Sequence, residues 1–315
     1  MIWTSEYMSP LGRITLACDD EAIVGLWFNG QRYFGSVLPE VTAQREHPLF
    51  AEAGRWLDIY FSGKEPGFLP PLRYDATPFR RLICDIMLTI PYGKTMTYGA
   101  IAAEGLRGDW GANIGSTLLS TGSGIETEAR AWAAAGSDAR MNGCEMPVVI
   151  CSGSGNQGIT ASVPVVVYAE ELGVSRETLY RALAVSNLST IHIKAHIGTL
   201  SAYCGAVSAG CGAGAGITYL YGGGYEQIKH TLVNAMAITS GIICDGAKPS
   251  CAAKIATSVD AGLLGYHMYR CGNQFYAGDG IVKSGIEHTI ETVGALAHTG
   301  MADTDRQIIR LMMEP

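Results

Sequence analysis

The sequence predicts an α+β chain, in which a small amino-terminal α/β domain of strand hairpins and helices precedes an all-α helical domain. Apolar and polar residues alternate near the amino terminus, which is typical of strands. After residue 103 the apolar residues recur at helical spacing, and most of the 40 glycines lie in this part of the chain. We therefore expect one domain over residues 1–103 and a second over residues 104–315.

The amino-terminal domain contains two alternating segments joined by the acidic turn Asp19-Asp-Glu21, which predicts a strand hairpin. One helical pattern ends at Ser62-Gly63. Another begins at Thr77-Pro78, where threonine caps the helix and proline suits its first position. Cys18 falls in a strand and Cys84 in a helix, so both are interpreted as core cysteines. The predicted strands span residues 12–18 and 22–28, and the predicted helices span residues 47–61 and 77–90.

The second domain carries helical patterns along its length. Residues 197–225 contain no charged side chain and are rich in Gly, Ala, Ser and Cys, which favours a buried central helix pair. A membrane span is the alternative, because the stretch is long enough. Residues 210–216 lack the spacing of a dinucleotide-binding loop, so close helix packing explains their glycines. The other predicted helices span residues 159–172, 176–197, 225–243, 252–269, 286–298 and 303–313.

The chain is acidic and sparsely charged: its 315 residues carry a net charge of −7, and 16% of them are charged. Nucleic-acid binding needs clustered Lys and Arg, so this composition argues against a nucleic acid as the main partner. The 9 cysteines come without a secretory signal, which predicts a cytoplasmic protein whose thiols stay free for metals or catalysis. No membrane partner is expected, and the oligomeric state, a homo-oligomer included, stays open.

Three cysteines of the second domain, Cys204, Cys244 and Cys251, lie among small residues with few charges nearby. Three thiolates can hold three irons of a [4Fe–4S] cluster and leave the fourth iron open as a Lewis acid. The competing interpretation is that buried cysteines act as small hydrophobic residues. Four further cysteines remain alternatives for a fourth ligand: Cys144, Cys151, Cys211 and Cys271.

A polar glycine-rich loop over residues 152–158 precedes a predicted helix. Backbone N–H groups at a helix amino terminus can hold a carboxylate, and we expect Ser154, Asn156 and Gln157 to contact the substrate there. A plain capping loop is the alternative interpretation.

An open Lewis-acid iron would suit a lyase, and a lyase also needs a base that removes the α-proton of its substrate. Lys194 and His196 lie close to Cys204 in the sequence, and Lys248 lies between Cys244 and Cys251. His192 is a further candidate base, and Asp245 and Arg140 are candidates for orienting the site.

Residues 76–80 (Ala-Thr-Pro-Phe-Arg) and 90–102 (Ile-Pro-Tyr-Gly-Lys-Thr-Met-Thr-Tyr-Gly-Ala-Ile-Ala) carry a family pattern, together with the helix Trp56-Leu-Asp-Ile-Tyr-Phe. They resemble the methylated-DNA–protein-cysteine methyltransferase family. That resemblance implies a DNA-reading helix and a Pro-Cys-His-Arg acceptor motif after Ala102, but the sequence contains no Pro-Cys-His. We therefore interpret residues 1–103 as a truncated domain that lacks the acceptor cysteine, and methyl transfer is not expected.

Five stretches of the second domain carry another pattern: Ser137-Asp-Ala-Arg-Met141, Ser152-Gly-Ser-Gly-Asn-Gln-Gly-Ile-Thr160, Leu200-Ser-Ala-Tyr-Cys204, Gly241-Ile-Ile-Cys-Asp-Gly-Ala-Lys-Pro-Ser-Cys251 and Thr304-Asp-Arg-Gln-Ile-Ile309. They resemble the L-cysteine desulfidase family of the iron–sulfur serine dehydratase α-domain superfamily. The resemblance implies that Cys204, Cys244 and Cys251 are the cluster ligands. It also implies a further amino-terminal domain with a Gly-Cys-Thr-Glu-Pro motif, which does not occur in this sequence.

These observations predict iron–sulfur-dependent β-elimination from L-cysteine, or alternatively L-serine, to pyruvate and ammonia with release of sulfide or water. Two other functions remain as alternatives. One is a DNA-repair-related protein without methyl-transfer activity, and the other is an inactive fusion of the two domains.

Overall fold

The computed structural model describes residues 2–31, 34, 35, 38, 42–73, 98–198 and 201–314. The chain divides into two units, Met1–Thr95 and Met96–Pro315. This division precedes the expected boundary at 103/104, which falls inside the helix Tyr98–Arg107 of the second unit. The helix predicted over residues 77–90, with Cys84, lies outside the described residues.

The first unit contains a four-stranded sheet of β1 (Trp3–Ser9), β2 (Gly12–Cys18), β3 (Ile23–Phe28) and β4 (Ala43–Gln44) in the order β3-β2-β1-β4. The first three strands are antiparallel neighbours, and β4 pairs parallel to β1. Helix α1 (Pro48–Phe61) packs on the sheet and begins after His47, whose Nδ1 accepts the Leu49 N–H at 3.3 Å. The predicted hairpin and helix are confirmed, whereas β1 was not foreseen.

The core of this unit lies between the sheet and α1. Cys18 is fully buried in it, which confirms its interpretation as a core cysteine. Burial, with a contribution from the neighbouring Asp19 and Asp20, raises the pKa of the Cys18 thiol to about 11, so this thiol is a poor nucleophile. The buried core side chains are Trp3, Ile14, Leu16, Cys18, Ile23, Leu49, Phe50, Ala53 and Leu57.

The second unit is helical through its described residues, so the α+β prediction is confirmed. The six helices predicted between residues 159 and 313 are present, the one over residues 176–197 with its predicted bounds and the others with shifted ends, whereas the helices over residues 98–107, 114–121 and 125–141 were not predicted. The helices are α2 (Tyr98–Arg107), α3 (Ile114–Thr121), α4 (Ile125–Met141), α5 (Gly155–Glu171), α6 (Arg176–Ile197), α7 (Gly205–Leu220), α8 (Tyr225–Thr239), α9 (Ser250–Arg270), α10 (Ile286–Ala295) and α11 (Ala302–Met313). A π-helical turn, Leu296–Gly300, joins the last two.

Helix α7 lies at the centre of this unit, in contact with α5, α6, α8 and α9. The uncharged stretch therefore holds one buried helix and not the expected pair, because the chain leaves the helix at Tyr221 and turns at Gly222, where φ is +79°. None of the helices described for this chain combines the length and the apolar content needed to cross a bilayer.

Glycines on two sides of α7 let its neighbours approach closely. A Cβ added to Gly210 would clash with the Ser258 carbonyl of α9, and one added to Gly262 would clash with the Gly210 carbonyl. On the side facing α6, a Cβ on Gly212 would clash with the hydroxyl of Thr190. Close helix packing, the sequence-based explanation of these glycines, is confirmed.

The β2–β3 turn is fixed by Asp19, whose Oδ1 accepts the N–H groups of Glu21 and Ala22 at 2.9 Å, while its carboxylate pairs with Arg73. Burial alone would raise the pKa of Asp19, but these partners lower it. A lowered folded-state pKa adds stability above the unfolded pKa of about 4, and this stability is lost as the pH falls.

We expect Asp19→Asn to destabilise the hairpin by about 1 kcal/mol at pH 7, a modest value because Arg73 is partly exposed. The difference from the parent chain should shrink at pH 3. Hydrogen exchange of the β2–β3 amides, compared between variants at each pH, measures this. Asp20→Asn, which changes the exposed neighbouring carboxylate, is the matched control. An equal effect of both substitutions at pH 7 would contradict the role of Asp19.

We expect Gly210→Ala to lower the free energy of unfolding by about 1–3 kcal/mol, because the added methyl group meets backbone of α9 that has little room to move. Gly241→Ala is the control, since its Cβ would enter open space. Chemical denaturation followed by circular dichroism measures both. Equal midpoints for the two variants would show that α7 and α9 do not depend on this contact.

Candidate active site

One cavity of about 320 Å³ in the second unit brings together most of the residues that the sequence singled out. It lies where the carboxyl end of α6 and the amino ends of α5, α7 and α9 meet. Among its lining residues are Cys204, Cys244, Cys251, Lys194, Ser154, Asn156, Gln157 and Arg140.

Two short segments pair with each other and place Cys204 beside Cys244. The Cys244 N–H donates to the Ala202 carbonyl at 2.6 Å, and the Cys204 N–H donates to the Ile242 carbonyl at 3.2 Å. Interaction with the Cys244 side chain, together with burial, raises the pKa of the Cys204 thiol, and the same interaction lowers the pKa of Cys244 in spite of burial. The pairing thus fixes two thiols from distant parts of the sequence at the cavity.

The loop after Cys244 is held by Asp245. Its carboxylate pairs with Lys248 at 2.5 Å and with Lys254, whose Nζ also donates to the Ile243 carbonyl at 3.0 Å. Burial alone would raise the pKa of Asp245, but the two ammonium groups lower it to about 2. Asp245 therefore holds the loop that follows Cys244 and stays ionised at neutral pH.

Cys251 enters the cavity from the first turn of α9, and its Sγ lies 3.5 Å from the Gly246 carbonyl. All three cavity cysteines are free thiols. Within the described ranges, no three His, Cys, Asp or Glu side chains converge closely enough for a single metal ion. A [4Fe–4S] cluster binds each thiolate to a different iron, so three separate thiols around a cavity of this size fit that group.

The glycine-rich loop before α5 forms a tight turn. Ser152 and Gly153 both have positive φ, at 55° and 121°, and the flanking Cys151 and Ser154 face each other with a 3.3 Å backbone hydrogen bond. Ser154 caps α5, because its Oγ accepts the Gln157 N–H at 3.2 Å. The loop is thus a capping loop, and it also opens the amino end of α5 to the cavity.

Two polar groups in the cavity lack the partners that such groups normally have. Arg140 is half-buried and donates from Nη1 to the Asn156 Oδ1 at 3.1 Å, and no carboxylate pairs with it in the described part of the chain. Burial lowers the pKa of Arg140. Gln157 is 6% exposed, and its Oε1 has no hydrogen-bond partner. An acceptor left unpaired in this way is costly unless a ligand satisfies it.

Lys194 lies in the last turn of α6 and is 6% exposed. Its Nζ donates to the Gly198 carbonyl, which follows the helix. Burial lowers the pKa of Lys194, although the thiols of Cys244 and Cys204 oppose the shift. A buried amine with a lowered pKa has the character of a proton acceptor.

The remaining candidates lie elsewhere. His196 lines a separate cavity of about 250 Å³ with Glu291 and His298, and the His192 Nε2 lies 2.7 Å from the Glu287 Oε2. Lys248 points to Asp245 and is partly exposed.

The cysteines considered as a fourth ligand, Cys144, Cys151, Cys211 and Cys271, are absent from the described lining of the main cavity. Tyr203 lines this cavity and was not singled out, although its position next to Cys204 was a signal.

Two family models match the chain. The model described as serine dehydratase alpha chain matches residues 83–310, and the model of the 6-O-methylguanine DNA methyltransferase ribonuclease-like domain matches residues 2–74. Both resemblances found in the sequence are confirmed by these matches.

Several similar curated proteins carry the UPF0597 family name. UPF0597 protein DSY1109 of Desulfitobacterium hafniense (strain Y51) is 62% identical over 215 residues, covering 68% of this chain and 50% of that protein. A UPF0597 protein of Lachnoclostridium phytofermentans is 56% identical over 214 residues, covering 68% and 51%. The chain thus spans about half the length of the curated relatives it matches.

Among solved structures, the crystal structure of a single-residue variant of Mycobacterium tuberculosis OGT is similar at 30% identity, covering 33% of this chain and 61% of that chain, with a TM-score of 0.28.

Proposed function

Because this chain belongs to the serine dehydratase alpha chain family, we propose that the domain over residues 104–315 catalyses an iron–sulfur-dependent β-elimination from a small α-amino acid. L-cysteine is the proposed substrate and L-serine the alternative. The observation that supports this proposal is the cavity shared by three free thiols, a buried lysine and the amino end of α5. Free thiols of this kind persist in a reducing compartment, which supports a cytoplasmic location.

Cys204, Cys244 and Cys251 would hold the [4Fe–4S] cluster, each through one sulfur. The fit rests on the donor set, three free thiols on one cavity, and on the Cys204–Cys244 pairing that presents two of them together. When bound, the cluster supplies a Lewis-acid iron with an open coordination position, which favours departure of the substrate's sulfur or oxygen.

The chain's own residues bind the substrate and move its proton. Ser154, Asn156 and Gln157 line the substrate side of the cavity, where the amino end of α5 receives the α-carboxylate. Lys194, in its neutral form, takes the Cα proton through Nζ. The Cα–H electron pair forms the Cα=Cβ bond as the Cβ–S bond breaks and sulfide leaves. The released aminoacrylate reacts with water to give pyruvate and ammonia.

A second candidate function is favoured by the methyltransferase-domain match over residues 2–74. It is a DNA-repair-related binding role without methyl transfer, because Cys18 is buried with a raised pKa and the Pro-Cys-His-Arg motif does not occur in the sequence. Tight, salt-sensitive binding of a DNA duplex by the full chain would support it.

We expect Lys194→Met to lower pyruvate formation from L-cysteine or L-serine by about 100-fold or more, the usual contribution of a positioned base. The assay uses the anaerobically reconstituted full chain. His196→Gln and Lys248→Met should have much smaller effects, because neither side chain lines the main cavity. Lys283→Met, which removes an exposed lysine, is the control.

Equal iron content in all four variants separates loss of the base from loss of the cluster. A wild-type rate for Lys194→Met would contradict the assignment, and a comparable loss in Lys248→Met would move the base to that residue. Absence of pyruvate from both substrates with the reconstituted parent chain would contradict the proposed reaction.

A further inference from the structure

The main cavity contains a cationic donor that no carboxylate satisfies in the described part of the chain. Arg140 projects from the last turn of α4, and its Nη1 donates a hydrogen bond to the Oδ1 of Asn156 on α5. Gly155 leaves room for this arrangement, because a Cβ there would lie 2.6 Å from the Arg140 Nε. The other guanidinium donors have no anionic partner among the described residues. A guanidinium held this way offers a fork of N–H donors to a carboxylate.

The same cavity contains an acceptor without a donor. The Gln157 side chain is more than nine-tenths buried, and its Oε1 has no hydrogen-bond partner. It packs over Gly205, where an added Cβ would lie 2.3 Å from its Nε2. Buried amide oxygens are nearly always paired, and therefore this oxygen indicates a ligand that brings a donor.

We propose that Arg140 and Gln157 recognise the two charged groups of a zwitterionic α-amino acid, with the guanidinium donating to the α-carboxylate and Gln157 Oε1 accepting from the α-ammonium. The proposal deepens the proposed function, on which it rests for the reaction and the substrate class, by naming the residues that recognise the two charged groups of the substrate. Both side chains line the cavity with the three thiols and Lys194, so an amino acid held between them lies beside the reacting groups.

This arrangement assigns Asn156 the role of a positioning residue, since its Oδ1 is already occupied by Arg140. It also predicts that the cavity distinguishes an α-amino acid from the corresponding α-hydroxy acid. An α-hydroxy acid keeps the carboxylate but replaces the ammonium, and its hydroxyl is a single neutral donor. Hydrogen bonds to charged groups are stronger than those between neutral groups, so the cavity should prefer the amino acid.

L-alanine and L-lactate form a matched pair of probes, because they differ only in the amino or hydroxyl group and neither carries a leaving group at Cβ. Isothermal titration of the anaerobically reconstituted full chain measures their binding without turnover. We expect L-alanine to bind about 10- to 100-fold more tightly than L-lactate. Gln157→Met should remove most of this preference while leaving L-lactate binding nearly unchanged.

Arg140→Met should weaken both ligands by about 10-fold or more, because both carry the carboxylate. Gln157→Glu keeps an acceptor and should retain the preference for L-alanine, which separates the specific role of the oxygen from a folding defect. Arg181→Met and Gln307→Met change exposed residues of α6 and α11 and should leave both affinities unchanged.

Three results would overturn the proposal: no binding of either ligand by the parent chain, equal affinities for the two ligands, or a full preference in the folded Gln157→Met variant. Failure of the proposed function has a different signature. In that case the parent chain prefers L-alanine but forms no pyruvate from L-cysteine or L-serine.

Discussion

The close contact of α7 with α6 and α9 is the constraint on which the second unit depends. Gly210 and Gly262 meet backbone to backbone, and Gly212 admits the side chain of Thr190. Any side chain at these positions would force the helices apart. Because α6 ends at the cavity while α7 and α9 begin there, the separation of these helices also sets how Lys194, Cys204 and Cys251 face each other.

The cavity obtains its chemistry from burial combined with selective pairing. Asp245 is fully satisfied by two lysines, and it holds its loop without offering a charge to a ligand. Lys194 is desolvated, which favours its neutral form. Arg140 and the Gln157 Oε1 are left open where a ligand would supply the missing groups. The contrast between the satisfied and the open groups separates the residues that hold the cavity together from those whose polar groups stay open in it.

Much of the site could be predicted from the sequence, because its residues lie in local patterns: cysteines among small residues, and a capping loop before a helix. The sequence could not rank Lys194 above His196 and Lys248, since only the fold decides which side chain reaches the cavity. Contacts between distant segments also could not be predicted from the sequence. Helix α3 is capped by the buried Asp138 of α4, which accepts the Ile114 N–H at 2.7 Å, and no neighbouring residue indicates this cap.

The glycine-rich α7 shows the same limit. Its composition indicated close packing, but the number of helices in the uncharged stretch depended on the turn at Gly222. The orphaned oxygen of Gln157 is likewise a property of the packed cavity, because glutamine in a capping loop is ordinarily exposed. Residue type and spacing thus predicted the candidate donor set, whereas burial and pairing decide which of its polar groups stay open in the cavity.

Iron and acid-labile sulfide content of the anaerobically reconstituted full chain tests the central claim most directly. We expect about four irons and four sulfides per chain, with broad absorbance near 400 nm that bleaches in air, as a [4Fe–4S] cluster requires. Cys204→Ala, Cys244→Ala and Cys251→Ala should each lose most of the iron, and Cys271→Ala, at an exposed cysteine, should keep it. A colourless, iron-free parent chain, or unchanged iron in all three cavity variants, would contradict the claim.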